Sequence, residues 1–232
     1  MAVEGKKASR AGRPRKDAGQ SVREDLLAAA VRLLREKNLE ELTLRKVAAA
    51  AGVSHVATYH HFENKNALLA AVAEEGYGRF FQAYNRELNR EEEQAEPGRT
   101  PELEFEARFR GLGWAYILFI LENAQQARLM FGPSSMLLND NPHLKPLSTR
   151  AYRRLYRIIR MGQAIGAVAP GHARRKTLAA WSMIHGMAML LMEERLPPEP
   201  TMDETREMVW SITDYAYYGM RGGAPDETSR QT

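Results

Sequence analysis

Thr43-Leu-Arg-Lys-Val-Ala-Ala-Ala-Ala-Gly-Val-Ser-His-Val-Ala-Thr-Tyr-His-His-Phe62 contains two short helices and a tight turn. Thr43 caps a helix over about 44–50, Ala51-Gly52-Val53 make the turn, and Ser54 caps a second helix ending near Phe62. This is the pattern of a helix-turn-helix. Val47, Ala48, Val53, Thr58 and Phe62 can share one small core. Ala50 and Ala51 are small enough for close helix approach, and Gly52 can adopt the positive φ that such a turn requires.

The surrounding chain is helical in pattern. Val22, Leu26, Ala29/Ala30, Leu33 and Leu34 recur at three- and four-residue steps, which predicts an amphipathic helix over 21–37. Ser21 and Glu24 have the spacing of a capping box for it. Glu63-Asn64 opens a long fourth helix through about Asn89. Residues 90–101 turn acidic and then carry Pro97, Gly98 and Pro101, a break in the pattern. Further helices are predicted near 102–122, 124–131, 144–163, 171–195 and 202–220. No stretch alternates with period two, so the fold class is all-α: an N-terminal three-helix domain and a C-terminal helical bundle. The organisation reads as a disordered basic arm (1–20), a helix-turn-helix domain (21–72), a connecting helix and linker (73–101), a ligand-binding and dimerisation domain (102–221) and a disordered tail (222–232).

Charge is unevenly placed. Residues 1–72 carry 13 Lys/Arg and 8 Asp/Glu, a net of +5 against +4 for all 232 residues. A polyanion is the partner this asymmetry suits; a basic tail that aids solubility is the plainer reading. The chain has no cysteine, which removes disulfides and thiolate chemistry and fits a reducing, cytoplasmic setting. The apolar runs 112–121 and 178–192 are shorter than the roughly 18–20 residues of a membrane span, so no membrane association is expected.

If the second helix of the motif enters a major groove N-terminus first, His55, Val56, Ala57 and His60 lie nearest the base edges. Tyr59, His61 and Lys65 can donate to phosphates. Thr43 and Ser54 place hydroxyls and helix N-termini beside them. Arg45 can reach a guanine edge or a phosphate. Adjacent His60 and His61 point about 100° apart, and nothing suitable lies four residues from His55, so no metal site is read there. Ala11-Gly-Arg-Pro-Arg-Lys16 offers Arg13 and Arg15 as a minor-groove arm, alongside the bland reading of a solvated tail.

Residues 21–72 resemble the DNA-binding domain of the tetracycline-repressor (TetR) family. Thr-Leu-Arg-x-Val-Ala, Ala-Gly-Val-Ser, Thr-Tyr-His-His-Phe and Asn-Lys-x-Ala-Leu-Leu carry the likeness. One departure is Thr58, where a Leu is commoner. The resemblance implies that Arg45, His55, Val56, Ala57, Tyr59, His60, His61 and Lys65 lie against DNA. Trp181-Ser-Met-Ile-His-Gly186 is similar to the Trp-x-x-x-His-Gly signature of one C-terminal class of that family. The family also implies a homodimer built by the last two helices.

The C-terminal region has no glycine-rich phosphate loop, no Gly-x-Ser-x-Gly and no His-Glu-x-x-His, so no enzyme, catalytic residue or cofactor is expected. Trp114, Phe131, Trp181, His185 and Met189 are candidates for an effector pocket, since large adaptable side chains suit a mostly apolar ligand. Packing alone explains such stripes too, and His185 stays open between core and ligand contact. The expected function is a regulator, a repressor in the first instance, released from a palindromic operator on double-stranded DNA by a small molecule of unknown identity. The rivals are an architectural DNA binder that answers to a protein partner, and an enzyme or carrier with an incidental helix-turn-helix.

Overall fold

The computed structural model describes residues 18–36, 39–93, 98–132, 141–196 and 200–221. Among them there are only helices and turns, and they form two compact units, one up to Leu68 and one from Leu69. Arg13 and Arg15 of the basic arm, and the tail after 221, lie outside the described residues. No helix among the described residues is long and apolar enough to cross a membrane.

The first unit holds α1 (Ala18–Glu36), a single 3-10 turn (Leu39–Glu41), α2 (Leu44–Ala51), α3 (His55–His61) and the start of α4 (Lys65–Glu93). Its core is the apolar face of α1, with Leu26, Ala30 and Leu34 closed off from water, against Val47, Ala48, Phe62 and Leu68. Thr43 and Ser54 cap as the sequence predicts: their Oγ atoms accept from Lys46 N–H at 3.2 Å and Ala57 N–H at 3.0 Å. Ser21 does not. The helix starts at Ala18, so Ser21 lies inside it, since nothing in Ala18-Gly-Gln20 forbids a helical turn. The capping box occurs instead at Thr201–Glu204, where the Glu204 carboxylate accepts from Thr201 N–H and Thr201 Oγ1 accepts from Glu204 N–H.

Gly52 has φ 70°. Its N–H donates to Ala49 O at 3.2 Å, and Val53 N–H donates to Ala48 O at 3.0 Å. These are the two bonds of a Schellman closure, which needs a left-handed residue at this point. A Cβ here meets nothing within 4 Å, so backbone strain is the whole cost of a side chain. Gly52→Val is expected to destabilise the protein by about 1–2 kcal/mol in a thermal or urea melt. Gly52→Asn should cost clearly less, and equal melts for the two would contradict this account.

The second unit comprises α4 from Leu69 with α5 (Pro101–Glu122), α6 (Ala124–Phe131), α7 (Leu144–Ala164), α8 (Ala173–Met192) and α9 (Met202–Arg221). α5 packs against α6, α7, α8 and α9, which is why its apolar residues run round most of its circumference. Phe105, Phe109, Ile158, Ile159 and Tyr217 form the central cluster. The Met220 carbonyl near the end of α9 accepts from Ala169 N–H at 3.0 Å and from the buried Lys176 ammonium at 3.2 Å. A cation at a helix C-terminus is favourable.

Two further helices differ in extent from the pattern reading. α4 continues past Asn89 to Glu93, because Arg and Glu are good helix formers and no breaker comes before Pro97. From Leu69 onward it belongs to the second unit, and its Tyr77, Phe80, Phe81 and Tyr84 are all buried. α8 is shorter than predicted at both ends. Gly171 at φ 109° lies before its start, and Glu194 at φ 54° leaves the helical region after its end.

Candidate functional site

The exposed face of α3 is built by helical geometry. At 100° per residue His55, Val56, Tyr59 and His60 fall on one side, and all four are exposed. Val56 is 70 % exposed and Tyr59 52 %. Thr58 points the other way and is fully buried. Its hydroxyl donates to the Ser54 carbonyl at 3.3 Å, which supplies the hydrogen bond that a buried hydroxyl requires. The departure at Thr58 is thereby accommodated. Ala57 and His61 flank the exposed face and are half-buried. The His55 and Tyr59 rings meet edge-on with centroids 5.0 Å apart, so Tyr59 is braced from within its own helix. Arg45, one residue into α2, is exposed. The capping oxygens of Thr43 and Ser54 accept from backbone; each hydroxyl keeps its own proton to donate.

Lys65, which the sequence reading directs to a phosphate, also bonds within the unit. Its ammonium donates to the carbonyls of Leu39 at 2.9 Å and Glu40 at 3.3 Å, and the side chain is half-buried. Those carbonyls belong to the 3-10 turn, which the periodicity did not reveal. Arg32 similarly donates to Ala50 O at 2.9 Å, and the Arg23 guanidinium lies 5.5 Å over the Phe62 ring. Part of the positive charge of the first 72 residues therefore holds the unit together.

The second unit encloses an apolar cavity of about 70 Å³. Phe80 of α4, Tyr116 of α5, Phe131 of α6, Tyr152 and Leu155 of α7, Trp181 of α8 and Thr213 of α9 are in its wall. Gly113 lets α5 approach α9 here: a Cβ would sit 2.5 Å from Thr213 Cγ2. Of the five sequence candidates, Phe131 and Trp181 line the cavity. His185 sits behind Tyr116, whose hydroxyl is 2.8 Å from His185 Nδ1. Burial holds the His185 pKa below the ordinary imidazole value, so the ring is neutral at pH 7 and Nδ1 can accept. The Trp181 and His185 rings, four residues apart on α8, meet edge-on with centroids 6.3 Å apart. Burial pushes the Tyr116 pKa upward, which keeps its proton in place. His185 is thus joined to a tyrosine 69 residues away in the chain.

Trp114 and Met189 do not join the cavity wall. Trp114 is buried with the Arg206 guanidinium 4.9 Å above its ring, and Met189 is half-buried further along α8. Sequence reasoning did not single out Phe80, Phe109, Leu155 or Thr213, since nothing local distinguishes them from core. Among the described residues no cluster of three or more His, Asp or Glu is placed to hold a metal ion.

Residues 26–72 match the sequence model described as bacterial regulatory proteins, tetR family. Residues 109–211 match a second one, described as tetracyclin repressor-like, C-terminal domain. The chain belongs to the TetR family. It is 46 % identical over 52 residues to the class C tetracycline repressor protein of Escherichia coli, a match covering 22 % of this chain and 24 % of that protein. The chain thus spans about a quarter of the length of the curated relatives it matches. A Rhodococcus sp. RHA1 protein of unknown function has a similar solved structure, with TM-score 0.70 and 30 % identity, over 91 % of this chain and 100 % of that one. A tetR-family bacterial regulatory protein from Rhodococcus RHA1 has TM-score 0.61 at 22 % identity, over 88 % and 98 %, a likeness of fold.

Proposed function

We propose that this TetR-family chain is a cytoplasmic repressor that binds a palindromic operator as a homodimer and leaves it when a small molecule occupies the second unit. The supporting observation is that α4, whose first turn is tied through Lys65 to the 3-10 turn of the first unit, also contributes Phe80 to the cavity wall. A ligand that displaces Phe80 acts on the helix that leads to the DNA-reading unit. It weakens operator binding only through its preference for the released conformer, and a hundredfold change needs about 2.7 kcal/mol of preference.

In this reading His55, Val56, Ala57 and His60 face base edges. Arg45, Tyr59, His61, Thr43 and Ser54 reach phosphates or a guanine edge, and Arg13 and Arg15 enter the flanking minor groove. Lys65 acts mainly by holding the 3-10 turn. The domain order follows: basic arm, helix-turn-helix, connecting helix, effector and dimerisation domain, tail. Two copies join through α8 and α9, which expose Leu178, Met183 and Leu190 on one helix and Met202, Trp210, Tyr215 and Tyr218 on the other. Gly186, with no atom of this chain within 4 Å of a Cβ there, leaves room for another chain to approach. The edge-on contact of the Trp181 and His185 rings and the hydrogen bond of His185 to Tyr116 favour placing the second unit in the Trp-x-x-x-His-Gly class.

Selection of bound fragments from the organism's own DNA, followed by gel shift and light scattering, tests the proposal. The expected result is an inverted repeat bound by one dimer and released by a small-molecule fraction of cell extract. Fragments lacking a repeat, bound by a monomer, would overturn it. Binding that only a protein fraction relieves would favour the architectural alternative.

A further inference from the structure

The chemistry of the cavity wall narrows what can bind there, given the effector-site reading above. Among the described residues no Asp, Glu, Lys or Arg lines the cavity. Charged groups that neighbour it on the surrounding helices are engaged elsewhere. Arg110 on α5 holds Asp214 on α9 through two bonds of 2.6 and 2.8 Å. On α7, Arg150 and Arg154 neighbour the lining residues Ala151 and Leu155 in sequence. Their guanidinium groups instead lie 4.6 and 4.9 Å over the Phe81 ring, and Arg154 also lies 4.7 Å over Tyr84. Lys176 on α8 is bound to the Met220 carbonyl.

The polar groups of the wall are nearly all occupied. Thr213 Oγ1 lies 2.9 Å from the carbonyls of both Val209 and Trp210, between which its single proton is directed. The Tyr116 hydroxyl is engaged with His185 Nδ1 at 2.8 Å. The Tyr152 phenol takes part in no hydrogen bond among the described residues; its ring packs against Trp181 with centroids 5.9 Å apart. Six aromatic side chains, Phe80, Phe109, Tyr116, Phe131, Tyr152 and Trp181, supply the remaining character. A charge buried here finds no partner, which is costly, whereas a ring meets edges and faces.

We infer that the effector is a small, uncharged, largely apolar molecule with a flat ring, held among α5, α7, α8 and α9 and hydrogen-bonded to Tyr152. At about 70 Å³ the cavity is smaller than the roughly 150 Å³ that accepts benzene in an engineered core. Side chains therefore move on binding. Tyr152 and Trp181, both half-buried, are freer to do so than the buried Phe109.

The test uses the full chain without DNA and three probes on one ring system: neutral 1-naphthol, anionic 1-naphthoate and cationic 1-naphthylmethylammonium. Calorimetry is expected to show 1-naphthol binding at least tenfold more tightly than either ion. Tyr152→Phe should weaken 1-naphthol about fivefold. Ala151→Phe, which fills the cavity, should abolish binding while the circular dichroism stays helical. Should that variant not fold, Trp181→Phe serves: quenching of tryptophan emission by 1-naphthol should fall sharply while calorimetric binding persists. Tight binding of either ion, no binding of 1-naphthol, or quenching unaltered by Trp181→Phe would overturn the inference. Because binding is read on DNA-free protein, it depends on the cavity alone. A ligand that binds there and never releases the operator counts against the repressor reading and not against the ligand class.

Discussion

Val56→Asp is expected to lower affinity for the selected operator at least about 100-fold, some 2.7 kcal/mol, with almost no change in melting temperature. Val56 is 70 % exposed and contributes little packing, so a surface substitution there should stay within about 0.5 kcal/mol of wild type in stability. It is the second residue of α3 after the Ser54 cap, where an acidic side chain is favourable to the helix dipole. The folded unit therefore tolerates the carboxylate. The duplex does not, because a negative charge is carried to base edges flanked by phosphates. Val56→Ala should cost only a fraction of this. Gel shifts at two salt concentrations, paired with thermal melts, measure both sides. Wild-type affinity in a folded Val56→Asp protein would mean that α3 does not face DNA.

Phe105→Ala should be the most destabilising single truncation in the second unit, at about 3–5 kcal/mol. Phe105 is 1 % exposed and stacks on Phe109 at 5.9 Å between ring centroids and on Tyr217 at 5.4 Å. Its ring also fills the space over Gly162 on α7: a Cβ there would sit 2.5 Å from Phe105 Cε2 and 2.7 Å from Val168 Cγ2. With backbone on one side and two aromatic rings on the others, the site has little means to collapse. At roughly 2–4 °C per kcal/mol for a chain of this size, the melting point should fall by about 10 °C. Phe105→Leu should recover most of that. A loss below about 1 kcal/mol for Phe105→Ala would show that the core repacks around the gap.

The helix-turn-helix was legible because each of its parts is local. A cap acts on N–H groups two or three residues away, a Schellman turn closes within six residues, and amphipathic spacing needs one helix. Thr43, Ser54 and Gly52 stand in the structure as the sequence alone requires. The outward set on α3 follows from the same geometry once Thr58 and Phe62 are known to point inward. The packing role of Lys65 was not legible for a nonlocal reason: its acceptors lie 25 and 26 residues upstream, in a turn too short to leave a periodic trace.

The cavity of the second unit shows the opposite balance. Trp181 and His185 are recognisable on one face of α8 at a spacing of four, and Phe131 as an aromatic beside a helix end. That the Tyr116 hydroxyl meets His185 could not be read from the apolar residues of α5, because a helix packed on four neighbours has no face that advertises a site. Nor does the sequence tell that Trp114 is covered by Arg206 rather than directed to the cavity, or that Arg150 and Arg154 are stacked on the outside of its wall. By itself the sequence determined the all-helical class, the DNA-reading motif, its caps and its turn, because these depend on interactions within about one helical turn. Only the tertiary structure decided which of the described side chains line the cavity and that none of these is charged, because that depends on where five helices and α4 place side chains tens of residues apart.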